Sequence, residues 1–505
     1  MRASTCFQGW VFVILFSLMG REVGGQQNRS AIRDQQSGTR NLKKSDQEVF
    51  PATESARALH NANLQRFRVS GSESLRPNVV LILADDLGFG DLGVHGSESI
   101  PTPHIDKLAS QGVQFLNAYV TAASCSPSRA GLLTGAYQQR YGFEFNTAGA
   151  AVTERFSRGL DPAAVTLAEV LKLAGYKTGM FGKWHLGTRT HLHPMSRGFD
   201  EFYGFLAGAH SFFPVARAEP HHSTILRGHV PINEAEYLTD AIAREAVAFI
   251  DSANDTPFFA YVPFNAVHTP IEASDIYLKR FANVVDPQQR AYNAMTSALD
   301  DAVGSILSAI QDRGLEETTL VVFVNDNGGP IYTGVQSNGD LKLGKLFLFE
   351  GGIRVPMFAK LPGVIGASTT FEPMVSTLDL FPTICQMAGI DVTAVQNLDG
   401  TDLAPFLCEG NASVPHEELF WSNGPSTAMR TGKWKLVQSN GSTWLFDLSN
   451  DPGERRDLSA ESVGKCKQMK DAIRRWRDAM PEPAWPSKPQ RRIITVDGKP
   501  YQLNI

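Results

Sequence analysis

Cysteine, arginine and hydroxyl side chains are concentrated in the stretch Ser124-Cys-Ser-Pro-Ser-Arg-Ala-Gly-Leu-Leu-Thr-Gly135. Ser126, Pro127 and Ser128 open helices, the hydroxyls by capping and the proline by its fixed φ. Residues 129–134 read as a helix and Gly135 as its stop. Cys125 therefore stands just before a helix N-terminus. Unpaired backbone N–H groups and the positive end of the dipole favour an anion or a thiolate there. Arg129 adds a fixed positive charge one turn on. The same residues also fit a buried cysteine in a tight turn, the ordinary situation of a free cysteine.

Two apolar runs end in acidic residues. Residues 78–84 close on Asp85-Asp86, and residues 319–324 close on Asn325-Asp326-Asn327. Adjacent carboxylates repel unless something neutralises them, and a hard divalent cation held through oxygen atoms does so. An all-oxygen donor set favours Ca²⁺, with Mg²⁺ as the alternative, over Zn²⁺. Solvated loop aspartates are the competing reading of either pair alone. Lys183 and His185 lie in Gly182-Lys-Trp-His-Leu-Gly187, His268 in Asn265-Ala-Val-His-Thr-Pro270, and Lys345 in a segment that also holds Glu350 and Arg354. An isolated lysine is usually a solvated charge and a lone histidine a hydrogen-bonding residue. Glu350 and Arg354 read as a structural pair.

These groups need a scaffold. The continuous apolar run at 78–84 is what a central parallel strand covered on both faces requires. Further strands are expected at 115–120, 176–181, 258–262, 319–324 and 356–361. Helices are expected at 102–111, 166–174, 236–251, 289–313 and 376–388. Alternating strands and helices predict an α/β fold with a doubly wound, mainly parallel sheet. The motifs fall at strand C-terminal ends, where open α/β sheets bind ligands. After about residue 405 the texture changes to short strand-like pieces at 419–421, 429–437 and 444–448, followed by a helix at 465–480. That predicts a smaller C-terminal α+β subdomain, antiparallel sheet plus helix, and from Trp485 a tail.

Composition sets outer limits. With 505 residues, 20% of them charged, and a net charge of −5, the chain is globular and long enough for more than one domain. The lack of a long basic run argues against nucleic acid as a partner. Arg2, an apolar run at 10–19 and small residues at Gly20, Gly24 and Gly25 read as a signal peptide over residues 1–25. The run is too short for a stable membrane span, so the chain is expected to pass through export machinery to a periplasmic, secreted or other extracytoplasmic compartment. Residues 26–75 read as a polar leader or linker, poorly ordered, with a short helix at 57–67. The division predicted is then 76–404 for the catalytic α/β domain and 405–505 for the C-terminal subdomain and tail.

The cysteine stretch resembles the signature of the type I, formylglycine-dependent sulfatases, arylsulfatase-like members of the alkaline phosphatase superfamily. The Gly182–Gly187 segment resembles a second signature of that family, and 445–454 resembles its C-terminal part; the resemblance runs from about 76 to 458. It implies an alkaline-phosphatase-like fold and a sulfuric ester hydrolase. It implies that Cys125 is oxidised after synthesis by a formylglycine-generating maturation enzyme. It also implies that Asp85, Asp86, Asp326, Asn327 and modified Cys125 hold Ca²⁺. Arg129 and Lys183 would polarise the formylglycine hydroxyls, His185 would assist elimination of sulfate, and Lys345 would bind sulfate. His268 would bind it too and protonate the leaving oxygen. Lys183, His210, His268 and Lys345 are the implied substrate contacts. His210 or Ser211 enters because Ala209 occupies the place where many relatives carry a sulfate-contacting serine. One hydroxyl of the hydrated aldehyde attacks sulfur and the second later expels sulfate, which a cysteine thiolate could not do.

Four cysteines remain beyond the signal peptide: Cys125, Cys385, Cys408 and Cys466. With Cys125 converted, at most one disulfide forms, and Cys408–Cys466 is the pairing offered. Two other functions stay open at this point: a phosphoesterase of the same superfamily, and a non-catalytic sulfated-glycan-binding protein with Cys125 unconverted. The substrate expected is a sulfated small molecule or glycan, with His221, His222 and Arg227, in the stretch from His210 to His229, as candidates to line an acidic-glycan pocket.

Overall fold

All seven residues of Asn78–Ala84 (β1) are buried, and their side chains alternate between two cores. Val79, Leu81 and Leu83 join one apolar cluster, and Val80, Ile82 and Ala84 join the other. A strand with period 2 can be apolar on every residue only when both sheet faces are covered. The computed structural model describes residues 49–50, 52–69, 76–147, 155–215, 224–395, 397–408, 413–487 and 492–504. The expected signal peptide lies outside them. Among the described residues no helix is long and apolar enough to cross a membrane.

The other strands of the main sheet are β2 (Val113–Phe115), β3 (Lys177–Lys183), β4 (Glu201–Phe205), β5 (Leu226–Arg227), β6 (Val230–Pro231), β7 (Phe258–Pro263), β8 (Thr319–Asn325), β9 (Met357–Lys360) and β10 (Thr369–Phe371). Their order is β10-β2-β9-β8-β1-β7-β3-β4-β5-β6. The five central strands β8-β1-β7-β3-β4 are mutually parallel. The expected mainly parallel α/β sheet is present, with β9 running antiparallel beside β8.

Helices cover both faces: α1 (Glu54–Leu64), α2 (Pro103–Ser110), α3 (Cys125–Thr134), α4 (Leu167–Leu173), α5 (Leu238–Ser252), α6 (Pro287–Asp312) and α7 (Leu380–Met387). The start signals work as capping chemistry requires. Thr166 and Glu169 form a capping box on α4, and Asp286 caps α6 ahead of a proline in its first turn. The antiparallel sheet beyond residue 405 comprises β11 (Glu418–Asn423), β12 (Ser426–Thr431), β13 (Trp434–Ser439) and β14 (Ser442–Asp447), backed by α8 (Val463–Asp478). Leu419, Trp421, Val437 and Trp444 enter the first apolar cluster of the main body, so this sheet shares a core with it.

Several expectations are corrected. Residues 115–120 are not one strand: β2 ends at Phe115, and Ala118–Tyr119 pairs separately with Val375–Ser376. The piece expected at 429–437 is a hairpin that turns at Gly432, whose φ is 52°. The tail holds a hairpin of Arg492–Val496 with Lys499–Leu503, anchored by fully buried Tyr501. Within the expected leader, α1 starts three residues before the predicted helix. The following Arg68–Val69 pairs with Ile390–Asp391, and Phe67 is buried in the core. The Cys408–Cys466 bridge does not form. Cys466 is buried on the inner face of α8 with Sγ 3.7 Å from the Ser459 carbonyl, whereas Cys408 is exposed at the end of the helical turn Ala404–Cys408.

Candidate active site

The parallel strands deliver the polar groups. Ala84 of β1 lies in register with Asn325 of β8, so Asp85 and Asp326 leave the sheet side by side. Asp86 follows at φ 64° and His185 at φ 60°. Non-glycine residues in that region cost of order 1–3 kcal/mol and concentrate at functional sites. Lys183 is the last residue of β3, and His268 follows β7 by five residues. Lys345 comes from the loop after β8.

Helix α3 is buried along its whole length and begins at Cys125 itself, with Ser124 as N-cap, four residues before the helix expected at 129–134. Gly135 ends it at φ 64°. Arg129 fastens α3 to two strand ends. Its Nε donates to Asp326 Oδ2 at 2.9 Å and one terminal nitrogen donates to the Lys183 carbonyl at 2.9 Å. The Ser126 hydroxyl donates to the His185 carbonyl at 2.7 Å.

Ten sequence-predicted residues converge here. Lys183 Nζ lies 2.5 Å from Asp85 Oδ2, and Lys345 Nζ lies 2.7 Å from Asp86 Oδ1. His268 Nε2 is 3.5 Å from Asp86 Oδ2, while its Nδ1 is 2.6 Å from the Thr269 carbonyl. Asn327 Nδ2 donates to Asp86 Oδ1 at 2.7 Å. Asp85, Asp86 and Asp326 offer carboxylate oxygens within 4.8 Å of one another, as do the ligand atoms of Asp85, Cys125 and His268. Burial and the Asp85 charge push Asp326 above the usual carboxylate range. Such crowding of negative charge calls for a cation. Asp85 Oδ1 and Asn327 Oδ1 are buried without a hydrogen-bond partner among the described residues, a costly state for an acceptor. The donor set thus fits a hard divalent cation.

Electrostatics separates the roles. Burial raises the Cys125 thiol above its ordinary value, although Lys183 and Lys345 pull the other way. The thiolate suggested by the helix start is therefore disfavoured. Burial, then the Lys183 and Arg129 charges, hold His185 well below its ordinary value, so it is a neutral imidazole. Burial and Lys345 lower His268 as well. Burial works against the Lys345 charge, but Asp86 beside it outweighs that and keeps the ammonium protonated.

His210 has a different setting. Its ring lies 5.3 Å from that of Phe205, its Nδ1 is 2.6 Å from the Ser211 carbonyl, and it lines a groove of about 410 Å³ with Ser211 and Phe213. The Ser211 hydroxyl is committed to Glu272. Arg227 pairs with Glu245, and His221 and His222 lie outside the described residues. The same loop reaches the site through Gly208, where a Cβ would stand 2.6 Å from His185 Nε2. Gly208→Ala is expected to displace the imidazole and lower kcat by about 10²-fold with little change in Tm. Steady-state kinetics beside a thermal melt checks this.

Two supports were not singled out from sequence. Asn338 donates to the Gly329 and Leu343 carbonyls at 2.9 and 2.8 Å, pinning the loop that carries Lys345. The Asn338-Gly339 turn signal could have drawn attention to it. Tyr332, an exposed residue, lies near enough to feel the Lys345 charge; nothing in its sequence context marks it.

Comparisons with known proteins place the chain among relatives. The sulfatase family model matches residues 77–390, and a model described as N-sulphoglucosamine sulphohydrolase, C-terminal, matches 342–479. Human N-acetylgalactosamine-6-sulfatase is 36% identical over 473 residues, 83% of this chain and 88% of that protein. Human arylsulfatase A is 34% identical over 455 residues, 79% of this chain and 86% of that protein. The solved structure of Ps i-CgsB in complex with k-i-k-neocarrahexaose is 35% identical, with TM-score 0.75, covering 81% of this chain and 94% of the other. A phosphonate monoester hydrolase of Agrobacterium radiobacter, 22% identical with TM-score 0.60 over 85% of this chain and 99% of the other, shares the fold. The chain belongs to the sulfatase family, sulfuric ester hydrolases built on the alkaline-phosphatase-like fold.

Proposed function

We propose that this protein is an exported sulfatase that removes sulfate from a sulfated carbohydrate, using a formylglycine made from Cys125 and a bound Ca²⁺. The observation that carries the reading is the meeting of Cys125, at the start of α3, with three buried carboxylates and two lysines. The carbohydrate preference rests on a relative named for an amino-sugar sulfate, N-acetylgalactosamine-6-sulfatase, and on a solved relative in complex with k-i-k-neocarrahexaose.

Bound through Asp85, Asp86, Asp326, Asn327 and residue 125, the cation would supply positive charge to sulfate oxygens. The hydrated aldehyde at residue 125 would supply one hydroxyl to attack sulfur and one to release the product. The chain's own residues do the rest. Arg129 and Lys183 are held rigidly against carboxylates and orient residue 125. Lys345 and His268 bind the anionic sulfuryl group, stabilising charge as it develops. His268 Nδ1 is engaged at the Thr269 carbonyl, which leaves Nε2 to give a proton to the departing alcohol oxygen. Donation requires the imidazolium, which a bound sulfate ester favours by its negative charge. Neutral His185 accepts a proton during sulfate release.

Two measurements test this reading. Matured protein incubated with an aryl sulfate should release inorganic sulfate faster than it releases phosphate from the matched aryl phosphate; the reverse order would establish the phosphoesterase. Chelation should remove most activity, and Ca²⁺ should restore it more fully than Zn²⁺. Activity untouched by exhaustive chelation would remove the cation from the scheme.

A further inference from the structure

Helix α8 carries a second feature that the hydrolytic site does not use. Cys466, Met469, Ala472 and Ile473 form its buried face. On the other side Lys467, Lys470 and Arg474 follow one another at helical spacing as a basic stripe. The stripe lines a groove between α8 and the turn joining β13 to β14. One stretch, about 780 Å³, runs past Trp476 and Gln139. A second, about 580 Å³, runs past Lys467 and Lys499. The two share Gly441, Ser442, Lys470 and Arg474, so they form one path along the helix. None of the ten converging active-site residues lines it.

The groove is positive along the second stretch, where Lys467, Lys470 and Arg474 face one lining carboxylate, Asp471, while Lys499 is paired with Asp457. Lys467 and Lys470 have no ion pair with a described residue. The Arg474–Asp471 pair is exposed, with side chains 67% and 36% accessible, and such pairs are weak and screened. In the first stretch the Glu144 carboxylate is already satisfied by the Ser422 hydroxyl and the Gly424 N–H. Asp478 and Glu482 line only that stretch.

The wall also holds two unused polar atoms. Gln139 is 2% exposed. Its Nε2 donates to the Ser422 carbonyl, leaving Oε1 buried and without a partner among the described residues. Trp476 is fixed by stacking on Phe420 at 5.4 Å and by edge contact with Tyr137 at 5.1 Å, and its Nε1 is likewise buried and unpaired. Both atoms lie beneath the groove wall, whereas the cations and the turn residues Asn440 and Ser442 line the open path, and this lining fits a ligand that carries both sulfate and hydroxyl groups.

We propose that this groove is a second, non-catalytic site that binds a sulfated polysaccharide chain and keeps a polymeric substrate on the enzyme. The proposal does not depend on conversion of Cys125, so its binding test stands apart from any test of catalysis.

The test uses the full-length Cys125→Ala protein, with dextran sulfate as probe and unsulfated dextran as control. Expected is retention by dextran sulfate alone, weakened about tenfold or more in the Lys467→Ala/Lys470→Ala/Arg474→Ala variant. An Arg455→Ala/Arg456→Ala control, basic residues elsewhere with 72% side-chain exposure, should change binding less than about twofold. In the matured enzyme the triple variant should raise KM for a sulfated polysaccharide and leave kcat/KM for a small aryl sulfate unchanged. Absence of retention, equal loss in the triple variant and the control, or equal loss on polymer and aryl sulfate would each overturn the proposal.

Discussion

Cys125→Ala is expected to abolish sulfate release, lowering kcat by about 10⁴-fold or more, as for other enzymes that lose their nucleophile. Alanine offers no atom to attack sulfur, and no neighbouring side chain is placed to substitute. Lys183 and Lys345 are each engaged by a carboxylate, and the two histidines sit where proton transfer, not attack, is their use. The fold should survive. The side chain removed is small, and α3 is anchored by Arg129 and Ser126 rather than by the thiol. The expected signature is a large kinetic loss with Tm within a few degrees of the parent, read by sulfate release and a thermal melt. Comparable turnover in the variant would remove residue 125 from the chemistry.

Lys435→Met should produce the largest stability loss outside the apolar core, about 3–5 kcal/mol. Lys435 on β13 is fully buried with Glu350 at 2.8 Å and Glu454 at 3.2 Å. Burial works against the Glu350 charge, and Lys435 and Arg430 hold that carboxyl below its ordinary range. Without the ammonium, two carboxylates face each other in the interior and one must take up a proton. Glu350 opens the helical turn five residues after Lys345 and accepts from the Tyr119 hydroxyl at 2.7 Å. Its backbone N–H donates to Glu454 at 2.7 Å. The variant should therefore lose kcat as well as Tm. Denaturant unfolding gives the stability change, and a loss under about 1 kcal/mol would show that the triad is not the tie between β13 and the Lys345 loop.

The parts of the fold that the sequence made legible share a physical cause. The run 78–84 announced a two-faced strand because burial on both sides demands apolar residues throughout. Asp85-Asp86 and Asp326-Asn327 stood out because paired carboxylates after such runs need a counter-charge. What the sequence hid depends on tertiary contacts. That β1 and β8 are neighbours in register, which sets Asp85 beside Asp326, is a matter of strand order. The break at residues 116–117 and the antiparallel direction of β9 are likewise set by the strands they meet. The thiolate expected at a helix start gave way to burial, which no local pattern reports. Asn338, which accepts from the Phe89 N–H, and Lys435 act through partners far along the chain, and the terminal hairpin is held by Tyr501 packing against Phe347 and Phe349.

The state of residue 125 in active enzyme is the decisive quantity. Peptide mass spectrometry of the segment spanning Cys125, on protein whose sulfate release has just been measured, reads it directly. Conversion predicts that specific activity rises in proportion to the fraction of peptide carrying the aldehyde or its hydrate. Full sulfate release from protein whose residue 125 is uniformly an unmodified cysteine would contradict it.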